Sequence, residues 1–338
     1  MVNQAETIRA RLRRVSGDSF GKSVMALRKG VKSGRRSDPD IRRYVLAGRQ
    51  SQAPGLSPGL HLVATPIGNL HDITLRALET LAAADVIACE DTRVTRTLLD
   101  HYGIATALTP YHEHNAASAR PKLLTRLAEG SAVALVSDAG TPLISDPGYK
   151  LVRAAHDAGY TIRAVPGASS VLAALTASGL PTDRFFFEGF LPAKAAQRRT
   201  RILELSRIPA TLVLFETGPR IGAALADLAA VLPDREAAIC RELTKLHEEI
   251  RRGKVAALAA DYAGAAERRG EMVIVIAPPP ADADKMLPDQ LDGLIRDALG
   301  RVSVKDAVSE VAAATGLPRR DVYQRALALS QETDNGRT

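Results

Sequence analysis

Three short segments hold the residue types that let a backbone come close to a ligand. They are Thr65-Pro66-Ile67-Gly68-Asn69-Leu70, residues 137–148, and Pro166-Gly167-Ala168-Ser169-Ser170. Glycine reaches conformations closed to other residues, proline stiffens the chain, and Ser and Thr offer small donors and acceptors. The middle segment, Ser-Asp-Ala-Gly-Thr-Pro-Leu-Ile-Ser-Asp-Pro-Gly, is longer than a strand-to-helix turn needs, which points to a binding role. No segment follows the Gly-x-Gly-x-x-Gly pattern, so an ordinary Rossmann pyrophosphate site is not expected. Residues 17–23, Gly-Asp-Ser-Phe-Gly-Lys-Ser, end like a phosphate-binding P-loop but have one residue too few between the glycines and no buried strand before them. His112-Glu113-His114 puts two imidazoles on one face of an extended stretch, yet no third ligand can be identified, and no metal is expected.

The three loops must be held by the elements around them. Short apolar runs at 60–64, 85–89, 105–111, 132–136 and 161–165 alternate with helical patterns at 73–84, 93–101, 116–128, 149–158 and 169–178. Such alternation is the signature of parallel βαβ units covered on both faces, and ligands of open parallel sheets bind beyond the carboxyl ends of the strands, where all three loops fall. This predicts an N-terminal α/β domain over 60–178. A second α/β domain over 184–278 opens at Phe185-Phe186-Phe187-Glu188-Gly189-Phe190, with a strand at 211–215, a helix at 219–232 and a last strand at 272–277. Pro278-Pro279-Pro280 reads as an extended linker. Beyond it a small helical unit over 287–332 is expected, with Ser303 and Asp306 opening one helix, Gly316 ending it and Pro318 opening another. Two short helices in this arrangement resemble a helix-turn-helix, and Lys305, Arg319, Arg320 and Arg325 face either phosphates or solvent.

A chain of 338 residues with 46% hydrophobic content can fill two cores. Its two cysteines lie in separate apolar runs, which excludes a disulfide framework and fits a reducing cytoplasm; no apolar run is long enough for a membrane span. The net charge of +7 is unevenly placed: residues 1–59 hold thirteen Lys and Arg against four Asp and Glu, leaving the remainder slightly acidic. Residues 1–59 are therefore read as a basic, disordered leader.

Taken in order, the segment 65–70, Glu90-Asp91-Thr92-Arg93, residues 136–149, Pro166-Gly167, Glu188-Gly189-Phe190-Leu191-Pro192, Arg241-Glu242-Leu243-Thr244-Lys245 and Gly270-Glu271-Met272 resemble the motifs of the ribosomal RNA small subunit methyltransferase I family, a branch of the tetrapyrrole methylase superfamily. The resemblance implies a two-domain tetrapyrrole-methylase-like α/β fold with a small C-terminal helical unit, S-adenosyl-L-methionine folded into the cleft between domains, and a homodimer. It implies 2′-O-methylation of a cytidine in the decoding region of 16S rRNA, with the rRNA inside the small ribosomal subunit as partner. Carried over by position, Pro66, Asp138, Ala139, Gly140, Thr141, Pro142 and Ser169 would line the cofactor, with Ile144 and Phe215 as apolar walls.

For such a reaction the protein must align a ribose hydroxyl with an already electrophilic methyl and handle the hydroxyl proton. A lysine of lowered pKa or a carboxylate in reach could take it, which makes Lys245 and Glu242 candidates in the second domain and Glu90, Asp91 and Arg93 candidates in the first. The alternatives are a tetrapyrrole C-methyltransferase of the same superfamily and a non-catalytic RNA-binding protein.

Overall fold

In the computed structural model, residues 42–263, 270–280, 288–315 and 318–335 are described. Residues 17–23 and Gly316 lie outside them. The chain divides into two compact units: among the described residues the first holds 42–63, 74–138 and 147–166, and the second holds 64–73, 139–146 and everything from 167 onward.

The first unit opens with a hairpin, β1 (Arg43–Leu46) paired antiparallel to β2 (Arg49–Gln52). Its turn residues Ala47 and Gly48 both have positive φ (50° and 73°), the geometry that matches strand twist in a two-residue hairpin. This corrects the expectation that order begins at residue 60. Tyr44 is only 7% exposed, the Val45 amide donates to Tyr102 O at 2.7 Å, and Arg42 lies 3.7 Å from Asp85. So short a pattern, stabilised by partners far along the chain, leaves no periodicity to read. Residues 1–41 of the expected leader lie outside the described residues.

There follow β3 (Gly59–Val63), α1 (Leu75–Ala83), β4 (Val86–Cys89), α2 (Thr92–His101), β5 (Leu108–Pro110), α3 (Ala116–Ala128), β6 (Ala132–Leu135), α4 (Tyr149–Asp157) and β7 (Ile162–Val165). The strands form a parallel sheet in the order β5-β4-β6-β3-β7. Every residue of β4 and β6 is buried, as the unbroken apolar runs require. The chain leaves β3 toward one edge, returns to β6 beside it, and then crosses to β7 at the other edge. Neighbours β3 and β6 therefore send their following loops in opposite directions, the arrangement that opens a ligand crevice in such sheets.

The second unit contains α5 (Ser170–Ala177), β8 (Phe185–Phe190), α6 (Ala195–Leu205), β9 (Thr211–Thr217), α7 (Ile221–Val231), β10 (Glu236–Arg241), β11 (Glu249–Lys254), α8 (Val255–Tyr262) and β12 (Glu271–Ile276). Its sheet order is β11-β10-β12-β9-β8, antiparallel except for β8 and β9. Strand alternation sorts the core onto two faces. Leu212, Leu214, Ile239 and Ile274 pack against residues of α6, α7 and α8, whereas Val213, Ala238, Val273 and Val275 pack with α5 residues and Ile67.

At the C-terminal end α9 (Pro288–Leu299), α10 (Val304–Thr315) and α11 (Arg319–Asn335) share their own core of Ile295, Val308, Val311, Val322 and Leu329. Ser303 opens α10 as its Oγ accepts the Asp306 amide at 3.3 Å. Arg325, expected to face phosphate or solvent, is instead paired with the buried carboxylate of Asp292.

Candidate active site

The loops that follow β3, β6 and β7 are bound to one another within the second unit. Thr65 and Gly140 form an isolated antiparallel bridge, each donating its amide to the other's carbonyl at 2.9 and 3.0 Å. Thr141 Oγ1 donates to Ala168 O at 3.2 Å. A Cβ at Gly140 would fall 3.2 Å from Ile67 Cγ2, and one at Gly167 would fall 3.1 Å from Ala64 Cβ, so these contacts exist because the side chains do not. Pro142 is buried, while Pro66 is half-buried and Ala139 exposed. The Ser169 hydroxyl caps α5 by accepting the Leu172 amide at 3.4 Å, which makes it first a structural group.

The backbone of the middle loop is strained as well as long. Leu143 and Ser145 hold φ of 73° and 61°, a region that costs a non-glycine residue about 1–2 kcal/mol. Strain of this kind persists where the surroundings impose it and concentrates at functional sites. β8 bulges between Phe187 and Gly189, and a Cβ on Gly189 would meet Ser145 Oγ at 2.8 Å. Beside the bulge Phe215 stacks edge-on with Phe187 and Phe190, ring centroids 4.9 and 5.5 Å apart. Phe190 and Ile144 stay about half exposed, leaving apolar surface in this unit available for a ligand.

Glu242 and Lys245 meet at the turn after β10. Lys245 Nζ donates to Glu242 Oε1 and to Glu271 Oε2, each at 3.0 Å, and the Glu271 amide also donates to Glu242 Oε1 at 3.0 Å. Glu242 and Thr244 both adopt positive φ, 50° and 64°. Burial by itself would lower the Lys245 pKa, but hydrogen bonds to the two carboxylates outweigh it and raise the value. Burial likewise acts to raise the Glu242 pKa and is outweighed by the Glu271 amide and Lys245, so the carboxyl is held ionised. The lowered lysine pKa that proton abstraction would call for is not what this turn produces. It abuts the first loop: a Cβ on Gly68 would collide with Lys245 Cγ and lie 3.0 Å from Leu243 O.

Glu90, Asp91, Arg93 and Asp138 belong to the first unit. Asp91 caps α2, accepting the Arg93 amide at 2.8 Å, and is gripped by the Arg93 guanidinium at 2.6 Å. That pairing holds its carboxyl at about 2. Asp138 Oδ1 accepts the Asp91 amide at 3.0 Å, so this acid of the middle loop steadies the α2 cap. Burial, then the neighbouring Asp138 charge, pushes the Glu90 carboxyl above the usual range. Of the residues not foreseen as site members, Glu271 is joined to Lys245 by the register that sets Arg241 opposite Met272, and Phe187 and Phe190 by the bulge in β8. The only signal for either was a short motif whose contacts could not be read along the chain.

The model of the tetrapyrrole (corrin/porphyrin) methylases matches residues 59–259, and that of the RsmI C-terminal HTH domain matches residues 285–330. The chain therefore belongs to the tetrapyrrole methylases and is a methyltransferase. Within that class its family is that of ribosomal RNA small subunit methyltransferase I. It is 52% identical over 290 residues to the protein of that name from Mesorhizobium japonicum, covering 85% of this chain and 98% of the relative. With the one from Erythrobacter litoralis the identity is 53% over 279 residues, covering 82% and 97%. Among solved structures, diphthine synthase superposes with a TM-score of 0.52 at 20% identity, over 64% of this chain and 89% of that one. A conserved hypothetical protein of Aeropyrum pernix K1 also reaches 0.52 at 20% identity, over 82% and 98%. At such identity the likeness is one of fold. Among the described residues no helix is long and apolar enough to cross a membrane.

Proposed function

We propose that the protein methylates the ribose 2′-hydroxyl of a cytidine in the decoding region of 16S rRNA, using S-adenosylmethionine, and acts on the small ribosomal subunit as a cytoplasmic homodimer. The observation that carries this reading is identity above 50% over nearly the whole length of proteins bearing the ribosomal RNA methyltransferase name. The second unit suits the cofactor: the close packing at Gly140 and Gly167 locks the three loops together, and Phe190, Phe215 and Ile144 offer apolar surface for an adenine. Pro66, Ala139, Gly140, Thr141, Pro142 and Ser169 would hold it. S-adenosylmethionine supplies a methyl made electrophilic by its sulfonium: the O–CH₃ bond forms as the S–CH₃ bond breaks, sulfur keeps the bonding pair, and the hydroxyl proton passes to water. The protein's own work is to hold the ribose in line and to favour negative charge on its oxygen.

The test offers labelled S-adenosylmethionine with small ribosomal subunits, free 16S rRNA or uroporphyrinogen. Label is expected in the RNA, at a cytidine whose 3′ phosphodiester has become resistant to alkali. Label entering only the porphyrinoid would identify a tetrapyrrole C-methyltransferase, and methylation of a base would sink the 2′-O assignment.

A further inference from the structure

We infer that Lys245 acts as a fixed ammonium that donates a hydrogen bond to the oxygen being methylated, and is not the base that removes its proton. This rests on the function proposed above.

The geometry points one way. An ammonium has three N–H groups, and Lys245 gives two of them to Glu242 and Glu271 at 3.0 Å each. Among the described residues no acceptor takes the third. The Glu242 carboxylate is held independently of the lysine, its Oε1 accepting the Glu271 amide at 3.0 Å, and the two backbones are tied again by the Glu242 amide donating to Glu271 O at 3.0 Å. Glu242 in turn fits only because residue 270 is glycine, where a Cβ would meet its Oε1 at 2.5 Å. The stem of Lys245 lies against Gly68, in the loop whose Thr65 bridges to Gly140. The ammonium thus belongs to the same unit and the same contact chain as the loops assigned to the cofactor.

A lysine so clamped keeps its proton, since giving it up would leave two carboxylates facing each other without a cation. It can do something else. A donor already positioned and charged stabilises negative charge as it develops on an oxygen, without reorganising at the moment of reaction. The charged groups that act on it are Glu242, just past β10, and Glu271 on β12. The adjoining loop contributes Gly68, which has no charge.

Two measurements test this. In the first, the Lys245 side-chain resonance of the free protein is followed by NMR from pH 7 to 10, and no titration is expected; Glu271→Gln, which removes an exposed partner, should bring the titration point down. In the second, Lys245→Met is expected to lower kcat by about 100-fold or more, the usual weight of one preorganised donor. Lys245→Arg, which keeps a charge but cannot serve as a base at these pH values, should recover a large part of the loss. S-adenosylhomocysteine affinity should stay near wild type in both variants, whereas the melting temperature should fall in Lys245→Met, which leaves Glu242 and Glu271 without a cation, and less in Lys245→Arg. Titration of Lys245 below pH 10, a rate that rises with pH along that titration, or an Arg variant as impaired as the Met variant would overturn the inference, as would full activity of Lys245→Met. Failure of the wild-type protein to methylate any RNA would instead strike the proposed function, and the NMR titration would still report the state of the lysine.

Discussion

Gly270 adopts φ +106°, and a Cβ there would crowd the Glu242 carboxylate, whereas Gly130 at φ +82° has nothing within 4 Å of its missing Cβ. Alanine at Gly130 therefore carries only the cost of a left-handed backbone, about 1 kcal/mol. Alanine at Gly270 adds a collision and should cost about 3 kcal/mol, with Lys245 losing its partner. Urea unfolding of the two variants checks the difference, and equal losses would mean the Glu242 geometry yields easily. At Asp91 the prediction concerns pH. Its folded-state pKa of about 2 lies below the ordinary 3.8, so the stability it contributes is present above pH 4 and disappears as pH falls from there toward 2. Asp91→Asn should thus be less stable than wild type at pH 7 and indistinguishable from it near pH 2, as read from unfolding curves at both pH values.

Among the elements, α6 and α7 illustrate how charge can be buried at low cost when every partner is present. Asp227 of α7 receives Arg198 Nη2 at 2.6 Å and Arg199 Nε at 2.6 Å, with the Arg198 and Asp227 side chains only 8% and 6% exposed. Arg198 also donates to Ala193 O at 3.1 Å, fixing the entry to α6. Burial acts to raise the Asp227 pKa, and the two guanidiniums outweigh it and hold the carboxyl below its usual value. Asp227→Ala would strand a buried guanidinium, and a loss of about 3–5 kcal/mol is expected in urea unfolding. A loss under 1 kcal/mol would show that water readily reaches Arg198. The sequence offered little warning of α6, whose apolar positions are isolated among Arg, Gln and Glu, or of β11, whose Glu-Ile-Arg-Arg-Gly-Lys is an edge strand with a polar composition.

For the whole molecule, the C-terminal helices carry a testable question about phosphate contacts. Lys305 and Arg320 are exposed there, whereas Arg325 is committed to Asp292 and Arg319 to Ser309. If this unit meets rRNA through phosphates, Lys305→Glu and Arg320→Glu in the full chain should each weaken RNA binding and lower the slope of log affinity against log salt by about 1. Arg325→Glu should act on the stability of the helical unit instead. Unchanged salt slopes in both charge variants would remove these helices from the phosphate contacts.

The parallel sheet, its flanking helices and the position of the three loops could be read from residue order, because unbroken apolar runs and helical spacing are local consequences of burial on both faces. The family motifs could be recognised in the sequence by resemblance. The chain could not reveal that the loops after β3 and β6 leave the sheet they follow and join the second unit, since that depends on contacts such as Thr65 with Gly140 and Gly68 with Lys245. Nor could it reveal the state of Lys245. A lysine beside an acid in sequence can be base, salt bridge or donor, and the ion pair that bears on the choice is made with Glu271, brought across from β12 by the antiparallel register with β10. Local pattern sets which surfaces must be buried, but protonation and role follow from charges that only folding brings together.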